Sequence, residues 1–139
     1  MQTKSKRSTK KERDGDTDEM KAKRRKGRSV RTKGHSFERM IAKLLRPVFP
    51  NARRQLEYHQ DDCNGVDIQN ADPYLIQCKA LKGYASINRL DEIKPDKLMG
   101  DVPILITKAD NKPIMVVMPF THFLSLLLKT RDTYKKPDQ

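Results

Sequence analysis

The fold is decided by residues 65 to 79, which read Gly65-Val-Asp67-Ile-Gln69, Asn70-Ala-Asp-Pro73 and Tyr74-Leu-Ile-Gln77-Cys-Lys79. The outer stretches have strand-like length and composition, and the Asn, Asp and Pro residues between them favour a tight turn. We therefore predict a β-hairpin. Gln77 and Lys79 then lie on one face of its second strand, about 7 Å apart, and the turn brings Asp67 beside Gln77.

A helix is predicted upstream of this hairpin. Phe37, Ile41, Leu44 and Leu45 fall at i, i+4, i+7 and i+8, which is the spacing of one helical face. Ser36 suits the N-cap position and Pro47 ends the pattern, so we expect order to begin near Gly34 and Glu38 to lie in the first turn.

The remaining elements complete an α/β fold with a mixed central sheet flanked by helices. Apolar runs and turn residues predict a strand from Arg53 to His59, two buried strands at Val102–Thr107 and Ile114–Met118, and a closing helix over Phe120–Thr130. Between Ser86 and Met99 a helical spacing is interrupted by Pro95.

The charge is concentrated at the N-terminus. The chain carries a formal charge of +12, and residues 1 to 33 hold fourteen basic and five acidic residues, or +9. This stretch has too few apolar residues to offset its ordering entropy, so we predict a disordered basic tail at 1–33, a domain at 34–130 and a short polar tail at 131–139. Its basic residues are candidates for DNA phosphate contacts, namely Lys21, Lys23, Arg24, Arg25, Lys26, Arg28, Arg31 and Lys33. A solubilising tail or a nuclear localisation signal would have similar composition.

The composition also bears on the compartment. The N-terminus has no apolar signal segment, and the longest strongly apolar stretch, Phe120–Leu128, is far shorter than the ~20 residues that cross a bilayer. We expect a soluble, cytoplasmic protein, in the host cytoplasm if it is viral, with reduced cysteines.

Four residues form a candidate catalytic site. A lysine within an apolar strand needs a partner or a function, because burying an ammonium is costly. Asp67 and Glu38 are oxygen ligands suited to Mg²⁺ or Mn²⁺, and Lys79 would orient water or neutralise developing charge. With Gln77 they give a predicted site for divalent-metal chemistry on phosphate, with no organic cofactor.

These residues carry a resemblance. The helix Gly34-His-Ser-Phe-Glu38, then Gly65-Val-Asp67-Ile, then Ile76-Gln-Cys-Lys79 resemble the PD-(D/E)xK nuclease superfamily. The short length and the helix glutamate are most similar to archaeal-type Holliday junction resolvases, and the Gln-x-Lys strand is similar to Mrr-type restriction endonucleases. The resemblance covers about residues 34 to 118.

The resemblance implies a restriction-endonuclease-like core that cuts DNA, most of all branched DNA, as a homodimer. It assigns Glu38, Asp67 and Gln77 to the metal and makes Lys79 the catalytic lysine. The sequence departs from the motif twice: Val66 replaces the proline, and Gln77 replaces a carboxylate, which gives a weaker ligand. Two other functions stay open, a nuclease acting on ordinary or damaged duplex DNA and a non-catalytic nucleic-acid-binding protein.

Several other residues admit a simpler interpretation. His59, Cys63 and Cys78 lack the paired spacing of a zinc site. Asp61 and Asp62 suit a solvated turn as well as a metal site, and Tyr84 and Arg89 suit the surface as well as a DNA backbone contact. The apolar stripe Phe120–Leu128 is typical of a core or a dimer interface.

Overall fold

The structure is a computed structural model that describes residues 17–56, 65–95 and 99–133. Its elements are α1 (Asp18–Leu45), β1 (Arg53–Arg54), β2 (Ile68–Gln69), β3 (Tyr74–Leu81), a 3-10 helix (Ile87–Glu92), β4 (Val102–Ala109), β5 (Ile114–Val117) and α2 (Phe120–Thr133). The chain divides into two units, residues 1–31 and 32–139.

Helix α1 begins at Asp18 and not near Gly34, so residues 18–33 are helical and the prediction of a disordered segment was wrong for them. Thr17 caps this helix, because its Oγ1 accepts a hydrogen bond from the backbone N–H of Met20 at 3.3 Å. Asp18 and Glu19 in the first turn stabilise the helix, because their negative charges lie near the positive end of the helix dipole. Ser36 is therefore inside the helix, not its N-cap, and Glu38 is not in the first turn.

The five strands form one mixed sheet in the order β1-β2-β3-β4-β5. Strands β2 and β3 pair antiparallel with Ile68 opposite Ile76, which confirms the predicted hairpin. Strands β3 and β4 are parallel over eight residue pairs, while β1 and β5 pair antiparallel with their neighbours. The α/β class with a mixed sheet and flanking helices is confirmed.

The core lies between α1 and one face of the sheet. Phe37, Ile41 and Ala42 of α1 pack in one buried cluster with alternating residues of the strands, namely Ile68, Ile76, Cys78, Ile104 and Ile106. Since strand side chains alternate, Gln77, Lys79, Leu105 and Thr107 lie on the other face. Leu44 is 60 % exposed, so the predicted apolar face of this helix is narrower than its spacing suggested.

The second face of the sheet is covered by the segment that contains the 3-10 helix. The backbone N–H of Ala85 donates to the Thr107 hydroxyl at 2.9 Å, and Ile93 is buried just after the helix. Ser86 caps this short helix by accepting from the Asn88 N–H. It ends before Pro95, the residue that we predicted would interrupt a helix here.

Helix α2 contacts the sheet with few of its side chains. His122 lies 3.0 Å from the Tyr74 hydroxyl and packs edge-on against that ring, but no residue of α2 is fully buried. The helix runs to Thr133, three residues past the predicted end, so residues 131–133 are not part of a C-terminal tail. Within the described residues, no helix is long and apolar enough to cross a membrane.

Candidate active site

Asp67 is fixed where β2 begins to separate from β3. Its backbone N–H donates to the Ile76 carbonyl at 2.8 Å, and its Oδ2 accepts from the backbone N–H of Cys78 at 2.8 Å. Its own carbonyl accepts from the N–H of Gln55 at 2.7 Å. Asp67 therefore bonds to the residues on both sides of Gln77, which confirms that the hairpin brings these two positions together.

The environment of Asp67 disfavours its charge. The pKa of Asp67 is raised to about 6, mainly by burial and to a smaller extent by the neighbouring negative charge of Glu38. The hydrogen bond from Cys78 and the positive charges of Lys79 and Arg54 oppose this shift. A carboxyl group whose charge is destabilised in this way is typical of a functional site, because a bound cation would offset the cost.

Glu38 reaches the site from α1 as half of an ion pair. It is 8 % exposed, and its Oε2 accepts a hydrogen bond from Nε of Arg54 on β1 at 2.6 Å. The Nη2 atom of Arg54 is buried and has no hydrogen-bond partner among the described residues. The carboxylate of Glu38 is thus neutralised by an arginine that still has an unused donor.

Gln77 is almost completely buried, with 3 % of its surface exposed. Its Nε2 donates to Oε2 of Glu92, the last residue of the 3-10 helix, at 2.6 Å. Its Oε1 is buried and has no hydrogen-bond partner in the part of the chain that the structure describes. An unpaired buried acceptor is costly, so this oxygen is a candidate ligand atom.

Lys79 is half-buried on the same face as Gln77 and forms no ion pair with any described residue. Its charge nevertheless lowers the pKa of both Asp67 and Glu92, so it lies near both carboxylates. The pKa of Glu92 is also held below its usual range by hydrogen bonds, first from Arg89 and then from Gln77. Lys79 is therefore a cation between two acidic groups of separate elements.

The four predicted residues differ in how closely they approach one another. Asp67 is at the centre, with Glu38 and Lys79 close enough to shift its pKa. Gln77 is on the sheet face opposite the core that α1 covers, and its amide bonds to Glu92 rather than to Glu38. No three His, Cys, Asp or Glu side chains within residues 17–56, 65–95 and 99–133 form a group that could hold a metal ion.

Arg54 and Glu92 belong to this site and were not among the predicted site residues. Arg54 is the second residue of the pair Arg53-Arg54, and strand alternation directs it toward Glu38 while Arg53 bonds to Gln69. Two adjacent arginines opening a strand were the signal available in the sequence. Glu92 had no such signal, because it lies fifteen positions after Gln77 in a segment of irregular pattern.

Of the other residues considered as metal ligands, only Cys78 lies within the described part of the chain. It is a free thiol in the core, and burial followed by the charge of Asp67 raises its pKa far above the usual range, so the thiolate is strongly disfavoured. His59, Asp61, Asp62 and Cys63 lie outside the described residues. Tyr84 donates to the Pro113 carbonyl and Arg89 bonds to Glu92, which gives both a contact within the fold.

The predicted DNA-contacting residues all lie on α1. Lys21, Lys23, Arg24, Arg25, Lys26, Arg28 and Arg31 are exposed side chains of the unit that ends at Arg31. Lys21 forms an exposed ion pair with Asp18 at 3.8 Å. Lys33 belongs to the second unit, where it is bonded to Asp110. Lys21 and Lys33 thus each have a carboxylate partner within their own unit.

Comparison with models of known protein families, with curated proteins and with solved structures found no match for this chain. Function must therefore be inferred from the side chains themselves.

Proposed function

We propose that this protein is a metal-dependent DNA endonuclease of the PD-(D/E)xK type, with a restriction-endonuclease-like core. The observation that carries the proposal is the junction of β2 and β3, where the desolvated Asp67 carboxyl lies near Lys79 and accepts a hydrogen bond from the N–H of Cys78, the residue after Gln77. A buried acid, a cation and an unpaired amide oxygen at one junction suit chemistry on a phosphodiester better than they suit stability.

The donor set fits a Mg²⁺ or Mn²⁺ ion. Asp67 and Gln77 offer oxygen atoms, and the buried Oε1 of Gln77 lacks any other described partner. Magnesium sites commonly use one or two carboxylates and complete their octahedron with water and substrate phosphate, so a large protein ligand set is not required. Glu38 would complete the set from α1. A bound ion would activate water and neutralise charge on the phosphate.

The protein side chains have separate tasks in this proposal. Lys79 stabilises negative charge that develops on the phosphate, or orients the attacking water, from its half-buried position beside Asp67. Arg54 orients the Glu38 carboxylate through its 2.6 Å hydrogen bond. The Cys78 N–H fixes the rotamer of Asp67 in the same way. Lys79, Arg54 and the Cys78 N–H all belong to strands of the sheet.

Branched DNA is the favoured substrate within this proposal, in keeping with the resemblance to Holliday junction resolvases. Resolving a junction requires two symmetric nicks, and a two-fold homodimer would supply two sites. Exposed apolar side chains on α2 support dimerisation: Phe120, Phe123, Leu124, Leu127 and Leu128 are each at least 44 % exposed. Cleavage of ordinary or damaged duplex DNA is the alternative within the same chemistry.

The test is a cleavage assay with Mg²⁺ or Mn²⁺ on a four-way junction, a flap and a plain duplex. We expect Lys79→Ala and Asp67→Asn to lower the cleavage rate by about 100-fold or more, because each removes a group that acts on the reacting phosphate. Lys82→Ala is the matched control, since Lys82 is exposed and outside the site. Its rate should equal that of the wild type.

A second candidate function is favoured by Gln77 in place of a carboxylate, since an amide oxygen is a weaker metal ligand. In that case the protein binds nucleic acid without cutting it. All three substrates would then stay intact with either metal, and Asp67→Asn would bind DNA as the wild type does. That pair of results would rule out the nuclease.

A further inference from the structure

The orientation of the Gln77 amide is fixed by Glu92. A carboxylate can only accept hydrogen bonds, so the amide nitrogen of Gln77 must face Oε2 of Glu92, at 2.6 Å. The amide oxygen is consequently turned away from Glu92. This oxygen is buried and has no hydrogen-bond partner among the described residues. An exchange of the two amide atoms would place two acceptors in contact and is excluded by their repulsion.

Glu92 is itself held in place from three sides. Its Oε1 accepts from Nη1 of Arg89 at 2.6 Å, one turn earlier in the 3-10 helix. The next residue, Ile93, is buried and donates its N–H to the Leu90 carbonyl. Gly65, two residues before Asp67, passes so close that an added Cβ would lie 2.7 Å from the Glu92 carbonyl oxygen. The end of the 3-10 helix is therefore packed against the start of the Asp67 segment.

We propose that Glu92 is a positioning residue of the candidate site, whose carboxylate holds the Gln77 amide so that Oε1 is presented to a divalent cation. This inference rests on the proposed function, because it assigns the cation as the occupant. It explains how a neutral amide serves in the position of a carboxylate: one orientation is imposed on it before metal binding. Partners that orient metal ligands commonly contribute 10- to 100-fold to metal affinity or activity.

The test measures Mn²⁺ binding to the full-length, metal-free protein without DNA, by calorimetry. Glu92→Ala should weaken Mn²⁺ binding by about tenfold. Asp91→Ala is the matched control, since it removes one negative charge from an exposed residue of the same 3-10 helix. Its affinity should stay within about twofold of the wild type. Thermal unfolding of both variants verifies that they are folded.

A double-mutant cycle tests whether Glu92 acts through Gln77. If it does, Glu92→Ala should have no further effect on Mn²⁺ affinity in a Gln77→Ala background. The side-chain amide of Gln77, observed by ¹⁵N NMR in the metal-free protein, gives a second readout. Its protons should exchange faster with water in Glu92→Ala and be unchanged in Asp91→Ala.

The outcomes separate this inference from the proposed function. If the wild type binds Mn²⁺ and cleaves DNA while Glu92→Ala binds Mn²⁺ as tightly as Asp91→Ala, only the positioning role is overturned. Additive effects in the cycle would overturn it as well. If the wild type binds no Mn²⁺ and cuts no DNA, the metal-dependent function is overturned and this role with it.

Discussion

At the scale of single residues, the burial of Asp67 lowers the stability of the folded chain at neutral pH, although it places a carboxyl group in the candidate site. A carboxyl with a pKa near 6 keeps its proton in the folded chain at acidities where an ordinary Asp, with a pKa of 3.8, has lost it. Ionising it at neutral pH therefore costs folding free energy, unless a cation compensates. Because Lys79 and Arg54 are already nearby and the pKa is still raised, the existing cations do not compensate fully.

A pH-dependent stability difference follows for Asp67→Asn. The folded-state pKa is raised, so the contribution of Asp67 to stability is present below about pH 3.8 and is lost as the pH rises through 6. We expect Asp67→Asn to be more stable than the wild type by on the order of 2 kcal/mol at pH 8, with the difference shrinking toward pH 4. Urea unfolding at three pH values in the presence of a chelator measures it.

Asp91→Asn is the control for this series, because Asp91 is exposed and its substitution should give the same small difference at every pH. A difference for Asp67→Asn that does not vary between pH 4 and 8 would contradict the desolvation of Asp67. Adding Mg²⁺ should narrow the difference at pH 8, since a bound cation stabilises the ionised carboxylate only in the wild type.

The site residues that could be predicted from the sequence are those whose spacing places them on the same hairpin. Asp67, Gln77 and Lys79 fall on one hairpin, where register fixes which side chains are neighbours, and the structure places them there. Arg54 and Glu92 could not be predicted in the same way, because each meets its partner across a tertiary contact. Glu38 was predicted as a metal ligand, but its pairing with Arg54 could not be predicted, because it depends on how α1 packs on β1.

At the scale of elements, predictions were best where apolar periodicity was strong. Strands β4 and β5 and helix α2 are observed within three residues of their predicted bounds. The start of α1 was missed, because the side chains of residues 18–33 are exposed and therefore give no apolar periodicity in the sequence. The 3-10 helix was not predicted as such, since its six residues are too short for a periodic signal.

The outward face of α2 gives a prediction about assembly. Phe120, Phe123, Leu124, Leu127 and Leu128 follow the spacing of one helical face and are all exposed, beside the edge strand β5. We expect a homodimer through this face. The double substitution Phe123→Glu with Leu127→Glu should weaken dimerisation by at least about 100-fold, because it places charge in a desolvated interface.

Sedimentation of the wild type and this variant over a range of concentrations measures the dimerisation constant. Val48→Glu is a matched control, since Val48 is 71 % exposed on the turn after α1 and outside the apolar face. A wild type that stays monomeric at concentrations of tens of micromolar would contradict the dimer. It would leave the single-site cleavage chemistry intact, and a nuclease that nicks one strand would then be expected.

At the scale of the whole molecule, the positive charge is divided unevenly between the two units. Residues 1–31 hold thirteen basic and five acidic residues, or +8 of the net +12, and residues 32–139 hold the remaining +4. Phosphate contacts release counterions without reading sequence, so this segment should supply affinity rather than specificity. The chemistry of Asp67 and Lys79 belongs to the other unit, residues 32–139. Binding and cutting should therefore be separable.

Two charge-neutralising variants test this division. In the first, glutamine replaces six exposed residues of α1: Lys21, Lys23, Arg24, Arg25, Lys26 and Arg28. In the second, glutamine replaces six exposed residues of the other unit: Lys43, Lys82, Lys94, Lys112, Lys129 and Arg131. Both lower the formal charge from +12 to +6 (12 − 6). Glutamine keeps a helix propensity close to that of lysine and arginine, so α1 should persist.

The two variants should differ in the salt dependence of DNA binding. Each lost phosphate contact should reduce the slope of log affinity against log salt by about 0.9 for duplex DNA, so the α1 variant should show a flatter slope. The second variant should keep most of the wild-type slope, since equal net charge alone does not place cations on the phosphates. Equal slopes would mean that net charge, and not α1, sets the affinity. Loss of cleavage by the α1 variant on DNA that is already saturated with protein would contradict the separation of binding from chemistry.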